Sequence, residues 1–345
     1  MRKFIFSFLS LVLIVYSFSG CTTQQKQLSD SEKLQQFFAK EHVNILITDS
    51  GLGGLSVFAD LAERIGQAGI FKEVTLTYFN AQPHLKSGYN SMGSEEQKIE
   101  VFENALDAMQ QNFKPDIILI ACNTLSVLFP ETKYSKLAEI PVVGVVETGV
   151  DLIAQKVKAH QQASVIIFAT KTTVKKDAHR EMLEKKGYDK SKLLTQACPK
   201  LAGAIERGSQ SEETKNLVDK YVKLALKKFE PVKDPYFISF NCTHYGYISD
   251  LFKHTFEKYG SSPEEILDPN PYMANFMFER DYQSRYSATD VHLMVVSQPE
   301  LPSDRIESIG KLIAQTSPAT YDALKNYKFT PELFEWRSIT GDSYE

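Results

Sequence analysis

The chain has 345 residues, of which 43% are hydrophobic and 24% charged, enough for two domains that each have a core. Its 39 basic and 43 acidic side chains give a net charge of -4, which argues against a nucleic-acid-binding surface as its main function. Four cysteines in a chain of this length are too few for a fold built on disulfides.

The first twenty residues have the pattern of an export signal. Two basic residues precede an apolar run over residues 4–15, which is long enough for a signal peptide and short for a membrane span of about 20 residues. Ser19-Gly20-Cys21 then resembles a lipobox, the site at which a bacterial lipoprotein is lipidated on its cysteine and cleaved before it. We expect residues 1–20 to be a lipoprotein signal peptide, with an uncleaved anchor helix as the alternative.

A polar segment, rich in Gln, Ser and Lys, follows the signal. We expect residues 21–41 to be a tether between the membrane and the folded part of the chain. The protein is then exported and held by a lipid on Cys21, on the periplasmic side of the membrane or in the outer membrane.

From residue 42 onward, short apolar runs alternate with amphipathic stretches. Residues 117–121 are continuously apolar, as is typical of a strand buried on both faces of a parallel sheet. Stretches with helical character, such as residues 94–111 and 172–186, lie between the runs. This alternation predicts an α/β doubly wound architecture. The predicted strands are residues 43–48, 74–79, 116–121, 142–146, 165–169, 236–240 and, as the last strand, 292–296.

Two pairs of similar segments are each separated by 120 residues. The strand and polar loop that end at Cys122 resemble those that end at Cys242, and residues 45–54 resemble residues 165–174. Equal spacing in both pairs predicts two similar doubly wound domains related by pseudo-twofold symmetry. Ligands in open α/β sheets bind at the carboxyl ends of the strands, so we expect the two cysteines on opposite walls of one cleft.

The expected domain limits follow from this repeat. The first α/β domain is predicted to comprise residues 42–149 and 268–345, and the second to comprise residues 150–267. The active site is predicted in the cleft between them.

Two opposed cysteines suit epimerisation by two bases. One thiolate removes the proton on a carbon atom, and the other thiol returns a proton from the opposite face. We therefore expect Cys122 and Cys242 to be free thiols that are held apart across the cleft.

Six motifs occur in the order in which glutamate racemases have them, and the chain resembles that family over residues 50–300. The motifs are residues 49–56 (DSGLGGLS), 121–124 (ACNT), 141–147 (PVVGVVE), 169–173 (ATKTT), 197–199 (ACP) and 242–245 (CTHY).

The resemblance implies an amino-acid racemase of the glutamate or aspartate type that uses neither pyridoxal phosphate nor a metal, and that supplies D-amino acids of the kind found in cell walls. It implies an amino acid as the small-molecule partner, with a homodimer as one option for assembly. It also implies Cys122 and Cys242 as the bases, Asp49 and His244 as assisting groups, and Glu147 as an acid near the cleft. The substrate-binding residues that it implies are Ser50, Asn123, Thr124, Thr170 and Thr243.

Two departures from the family keep alternatives open. Residues 87–93 (SGYNSMG) stand where the family has a Pro-Tyr-Gly substrate loop, and the family works in the cytoplasm whereas this chain carries an export signal. One alternative is a non-catalytic amino-acid-binding lipoprotein that retains the cleft. Another is a related enzyme that acts on a different carbon acid.

Simpler interpretations of single motifs are less favoured. A phosphate-binding loop at residues 51–54 lacks the glycine that the dinucleotide pattern requires at Ser56. A metal site at residues 242–244 lacks a second Cys/His pair with suitable spacing. Cys198 has no partner in the repeat, and we expect it to be structural.

Overall fold

The structure, a computed structural model, describes residues 28–341 apart from residues 87, 161, 230–234 and 279–281. The predicted signal peptide, Cys21 and the start of the predicted tether lie outside the described residues. Among the described helices, none is long and apolar enough to cross a membrane.

The described strands are all paired in parallel, as expected for α/β proteins. They are β1 (His42–Asp49), β2 (Glu73–Asn80), β3 (Ile117–Ile120), β4 (Val142–Gly144), β5 (Ser164–Ala169), β6 (Leu193–Ala197), β7 (Tyr236–Asn241), β8 (Glu265–Leu267), β9 (Asp290–Ser297) and β10 (Lys328–Phe329).

Helices connect nearly all of these strands. The α-helices are α1 (Asp30–Ala39), α2 (Leu55–Ala68), α3 (Glu95–Phe113), α4 (Asn123–Leu128), α5 (Tyr134–Leu137), α6 (Val145–Ala159), α7 (Lys171–Lys176), α8 (Ala178–Lys185), α9 (Leu201–Arg207), α10 (Glu212–Lys228), α11 (Ser249–Lys258), α12 (Ser303–Ile313), α13 (Pro318–Lys325) and α14 (Arg337–Thr340). Short 3-10 helices cover Phe129–Glu131, Lys190–Lys192, Tyr245–Ile248, Asn270–Tyr272 and Asn275–Met277.

In the described part of the chain the strands form two sheets with a repeated order. The first sheet has the order β10-β9-β2-β1-β3-β4 and the second has the order β6-β5-β7-β8. If the strands are numbered separately within each repeat, both sheets contain the same spatial order: second strand, first strand, third strand and fourth strand. The prediction of an α/β fold with parallel sheets is confirmed. The domain limits stay a prediction, although the sheets draw their strands from residues 42–144 with 290–329, and from residues 164–267.

The sheets are buried on both faces, as the continuous apolar runs predict. In β3, Ile117 and Leu119 pack into one hydrophobic cluster, and Ile118 and Ile120 pack into another on the opposite face. Two further clusters cover the second sheet. The cores hold the strands rigidly, so the loops at the strand ends have fixed positions.

Part of the predicted tether is folded. Ser29 and Glu32 form a capping box that starts α1. Phe37 and Phe38 are each 1% exposed and pack against Phe71. The tether prediction is wrong for this helix, because two adjacent aromatic side chains bury enough apolar surface to fix it against the first core.

Three predicted elements have different limits in the structure. β4 ends at Gly144, and α6 occupies the end of the strand predicted over residues 142–146. Asp177 adopts a left-handed conformation (φ 53°), which splits the helix predicted over residues 172–186 into α7 and α8. β10 follows β9, so the strand predicted over residues 292–296 is not the last one.

Candidate active site

A cavity of about 610 Å³ lies where the carboxyl ends of strands from both sheets meet. Asp49 ends β1 and Cys122 follows β3, whereas Thr170 follows β5 and Cys242 follows β7, and all four residues line the cavity. This is the usual ligand position in open α/β sheets, and the volume suits a small-molecule site.

The repeated strand order explains why two distant cysteines reach one cavity. β3 and β7 are the third strands of their repeats, and a cysteine follows each of them by two residues or fewer. Cys122 and Cys242 are 5% and 6% exposed, and neither is in a disulfide. The cavity therefore presents two thiols from two different sheets.

The environment of Cys122 on balance disfavours its ionised form, although a hydrogen bond with Ser50 acts in the opposite direction. Its Sγ atom is 3.1 Å from Ser50 Oγ. Burial raises the pKa of the Cys122 thiol far above its ordinary value, and the nearby negative charge of Asp49 raises it further. Cys122 is thus a protonated thiol at neutral pH in the ligand-free site.

Cys242 has a different environment, which contains an imidazole. Its Sγ atom is 3.8 Å from His244 Nδ1, and His244 Nε2 is 2.8 Å from Glu206 Oε1. Burial by itself lowers the pKa of His244, but Cys242 and Glu206 outweigh it and hold the pKa well above its ordinary value. A protonated His244 therefore stands beside the Cys242 sulfur.

Glu206 is a site residue that the sequence analysis missed. Its side chain is 5% exposed, and its Oε1 atom also accepts a hydrogen bond from the Leu52 amide at 2.9 Å. Burial raises the pKa of Glu206, but His244, the Leu52 amide and Arg305 together lower it below its ordinary value. In the sequence, Glu206 directly follows the apolar residues Ala204 and Ile205, on a helix that comes shortly after Cys198. This position is the sequence signal that could have identified Glu206.

The expectation that Glu147 is the acid near the cleft is corrected by the structure. Glu147 is exposed in the first turn of α6, and it is not among the residues that line the cavity. Because β4 stops at Gly144, the chain has already turned into the helix at this point, and partial burial there raises the pKa of the Glu147 carboxyl.

Four buried polar atoms of residues that line the cavity have no hydrogen-bond partner in the described part of the chain. They are the acceptor Gln82 Oε1, Asp49 Oδ1, which is an acceptor when the group is ionised, and the two donors Tyr89 Oη and Asn123 Nδ2. A buried polar group without a partner costs about 1–3 kcal/mol, so these atoms are suited to groups of a bound molecule. Burial raises the pKa of Asp49, and the charge of His244 and a hydrogen bond from Thr243 partly offset this.

Hydroxyl groups connect the two halves of the site. Thr243 Oγ1 donates to Asp49 Oδ2 at 2.7 Å, and the hydroxyls of Thr124 and Thr170 are 2.8 Å apart. Thr170 Oγ1 also accepts from the Thr173 amide at 3.3 Å. These three predicted substrate-binding threonines line the cavity, and their hydroxyls are already engaged in bonds between the two halves.

The loop that replaces the family's substrate loop does reach the cavity. Tyr89 is 1% exposed, and Asn90 Oδ1 accepts a hydrogen bond from the Thr172 amide at 3.0 Å. Behind the loop, Gln298 Nε2 donates to the Pro83 carbonyl at 3.0 Å, and the rings of His84 and Trp336 are stacked. Asn90 and the segment that precedes the loop are therefore held against the rest of the protein.

The glycines of residues 51–54 allow the two halves to approach closely. A Cβ atom on Gly53 would lie 2.3 Å from Thr243 Oγ1 and 2.6 Å from His244 Nδ1. A Cβ atom on Gly51 would lie 2.7 Å from Glu206 Oε1. The anion held by this loop is thus the protein's own Glu206 carboxylate, which argues further against a phosphate-binding loop.

The described residues include a third free and buried cysteine, Cys198. Cys198 is 2% exposed, belongs to a core cluster of the second sheet and also lines the cavity. In the described residues there is no group of three or more His, Cys, Asp or Glu side chains that could hold a metal ion.

The chain is similar in sequence to known glutamate racemases. Glutamate racemase of Aquifex pyrophilus is 29% identical over 206 residues, which cover 59% of this chain and 71% of the relative. Glutamate racemase of Helicobacter acinonychis is 29% identical over 230 residues, which cover 65% of this chain and 81% of the relative.

A solved structure shows the same fold. The glutamate racemase of Francisella tularensis subsp. tularensis SCHU S4, in complex with D-glutamate, superposes with a TM-score of 0.61 at 19% identity. The match covers 79% of this chain and 94% of that protein. Residues 53–230 match the Asp/Glu/Hydantoin racemase family. Because this match spans more than half of the chain, the chain belongs to the Asp/Glu/Hydantoin racemase family and is an isomerase of the racemase type.

Proposed function

We propose that the protein interconverts the L and D enantiomers of an acidic amino acid, glutamate or aspartate, with Cys122 and Cys242 as opposed acid–base groups. The observation that carries this proposal is the pair of free thiols that follow equivalent strands of two sheets and line one cavity. The similarity to glutamate racemases supports the choice of substrate class.

Each turnover moves one proton on each face of Cα. The thiolate of one cysteine takes the Cα proton and becomes a thiol, and the electron pair of the C–H bond stays on the substrate as a carbanion. The thiol of the other cysteine then gives its proton to the opposite face and becomes a thiolate. The configuration is inverted, and the charge has moved from one cysteine to the other.

The unpartnered atoms of the cavity match the groups of an amino acid. Asp49 Oδ1 is placed to accept from the substrate ammonium, and Asn123 Nδ2 and Tyr89 Oη are placed to donate to carboxylates. Lys171 and Lys200 on the cavity rim favour a second negative charge on the substrate. Fixed donors at the carboxylate also stabilise the negative charge that develops when Cα loses its proton.

Proton–deuterium exchange at Cα tests this function directly. The protein is incubated in D₂O with a panel of L- and D-amino acids, and Cα deuteration is followed by NMR. We expect exchange and inversion with glutamate or aspartate and little with neutral or basic amino acids. Binding without any exchange would contradict the proposal and favour a non-catalytic amino-acid-binding protein.

A methyl group at residue 53 is expected to disturb the site. Gly53→Ala places a carbon against Thr243 and His244, so we expect kcat/KM to fall by at least about tenfold. Gly66→Ala, in α2, is the matched control, because its Cβ meets nothing closer than 3.7 Å. Equal activity of the two variants in a racemisation assay would show that the close approach is not needed.

We also propose that the protein is exported and lipid-anchored through Cys21. The support is the sequence of residues 1–21 alone, which lie outside the described residues. In the native host, wild-type protein should incorporate labelled fatty acid, whereas Cys21→Ala should accumulate as an unprocessed, unlabelled precursor. Absence of label in the wild type would contradict the lipobox interpretation.

A further inference from the structure

A cation from the C-terminal part of the chain reaches the buried site. Arg305 lies in the first turn of α12, which packs against α9, the helix that carries Glu206. Arg305 Nη1 donates to Glu206 Oε2 at 3.1 Å, and the two side chains are 13% and 5% exposed. Arg305 lies well beyond residues 53–230, the segment that matches the family.

Both oxygens of Glu206 are engaged, and they connect Arg305 to a cavity thiol. Oε2 binds Arg305, whereas Oε1 binds the Leu52 amide and His244 Nε2. The other nitrogen of the same imidazole, Nδ1, is 3.8 Å from Cys242 Sγ. The contacts therefore run in one line from Arg305 through Glu206 and His244 to Cys242.

The physical role of a guanidinium at the end of this line follows from its charge. Arginine stays protonated at any accessible pH, so it compensates the charge of a buried carboxylate without giving up a proton to it. With Glu206 ionised and fixed, His244 must direct an Nε2–H group toward it, and Nδ1 then faces Cys242. Without the guanidinium, Glu206 can share a proton with His244 or rotate away from it.

Cys122 has different neighbours. Its sulfur lies 3.1 Å from Ser50 Oγ and beside the Asp49 carboxylate, which accepts a hydrogen bond from Thr243. The two acid–base groups are thus supported differently, and only the support of Cys242 includes Arg305.

We propose that Arg305 is a positioning residue for proton transfer at Cys242, which holds Glu206 ionised and oriented so that His244 keeps Nδ1 toward the Cys242 sulfur. This inference rests on the proposed two-cysteine racemisation. It predicts that loss of Arg305 harms one of the two half-reactions and spares the other.

The kcat/KM of overall racemisation cannot reveal a defect that is confined to one half-reaction. The two enantiomers have equal free energies, so the ratio of the kcat/KM value for the L enantiomer to that for the D enantiomer is fixed at one. The half-reactions are separated by single-cysteine variants. In Cys122→Ser only Cys242 can remove a Cα proton, and in Cys242→Ser only Cys122 can, so each variant should exchange one enantiomer in D₂O.

The experiment introduces Arg305→Met into both single-cysteine variants. We expect exchange through Cys242 to fall by about tenfold to a hundredfold, and exchange through Cys122 to change by less than about threefold. Arg305→Lys, which keeps the positive charge, should restore part of the loss. Arg64→Met removes another arginine–carboxylate pair, with Asp60 in α2, and should leave both exchange rates unchanged.

The pH profile separates a positioning role from a structural one. The groups that face Glu206 and His244 are Asp49, Cys242, Tyr78, Tyr247 and Arg305. Arg305 lowers the pKa of Glu206, so its removal should move the acid limb of exchange through Cys242 to higher pH. A structural defect would instead lower the rate at every pH and through both cysteines.

Each outcome of these exchange experiments either supports or contradicts the role of Arg305. Equal losses through both cysteines, or no loss through Cys242, would overturn the role of Arg305. If Arg305→Met does not fold, as judged by circular dichroism, the same comparison is made with Arg305→Lys, where a loss confined to Cys242 supports the proposal and an equal loss contradicts it. A wild-type protein that exchanges no amino acid would contradict the two-cysteine function itself.

Discussion

Replacement of either Cys122 or Cys242 by serine is expected to abolish racemisation, with a loss of kcat of at least about 10³-fold. A serine hydroxyl is a far weaker acid than a thiol, so its alkoxide is not available as a base near neutral pH. General acid–base catalysis supplies about 10²–10⁴-fold in rate, and inversion needs a competent group on each face of Cα. Steady-state racemisation, measured by polarimetry from both enantiomers, checks the result.

Cys198→Ser is the matched control for this experiment. Cys198 also lines the cavity and is as buried as the other two cysteines, but it follows the second strand of its repeat and not the third. We expect this variant to retain most of the activity. Full activity in Cys122→Ser or Cys242→Ser would exclude the two-base mechanism, and a loss in all three variants would indicate general damage to the fold.

The repeat in the sequence predicted the essential geometry of the site. Cys122 and Cys242 sit in similar segments 120 residues apart, and similar segments fold into equivalent strands. Because the carboxyl ends of parallel strands define the ligand site, the strand pattern and the spacing together placed both thiols on one cavity. This inference needed no knowledge of the packing between the sheets.

Residues contributed by helix packing could not be predicted in this way. Glu206 and Arg305 are 99 positions apart, and they meet only because α12 packs against α9. No local pattern encodes that contact. Glu147 lies in a motif of the family, but the structure places it in the first turn of α6, and it does not line the cavity.

The limits of some helices were predicted wrongly because they depend on a few residues each. The helix α1 lies in a segment of polar composition, and its signals are limited to the capping box of Ser29 and Glu32 and the pair Phe37 and Phe38. The break between α7 and α8 depends on one residue, Asp177, in a left-handed conformation that an aspartate tolerates better than most residues do. Periodicity over a window of many residues does not detect a single such residue.

Glu206→Gln is expected to lower racemisation by about 100-fold and to change its pH dependence. Glutamine keeps the size of the side chain and an oxygen that can accept from the Leu52 amide and His244 Nε2, so the variant removes the charge together with the ion pair to Arg305. The Glu206 charge raises the pKa of His244, whereas burial lowers it. Without that charge His244 loses its proton at lower pH, and the alkaline limb of the pH–rate profile should move to lower pH.

Glu147→Gln is the control that separates the two glutamates. It makes the same chemical change on an exposed helix turn outside the cavity, so rate and pH profile should stay as in the wild type. If instead Glu147→Gln lost activity and Glu206→Gln did not, the assignment from the motif would be right and the assignment from the geometry would be wrong. The contact of Glu206 with His244 at 2.8 Å, and of His244 with Cys242 at 3.8 Å, favours the opposite result, because a charge acts on a proton transfer through the groups it touches.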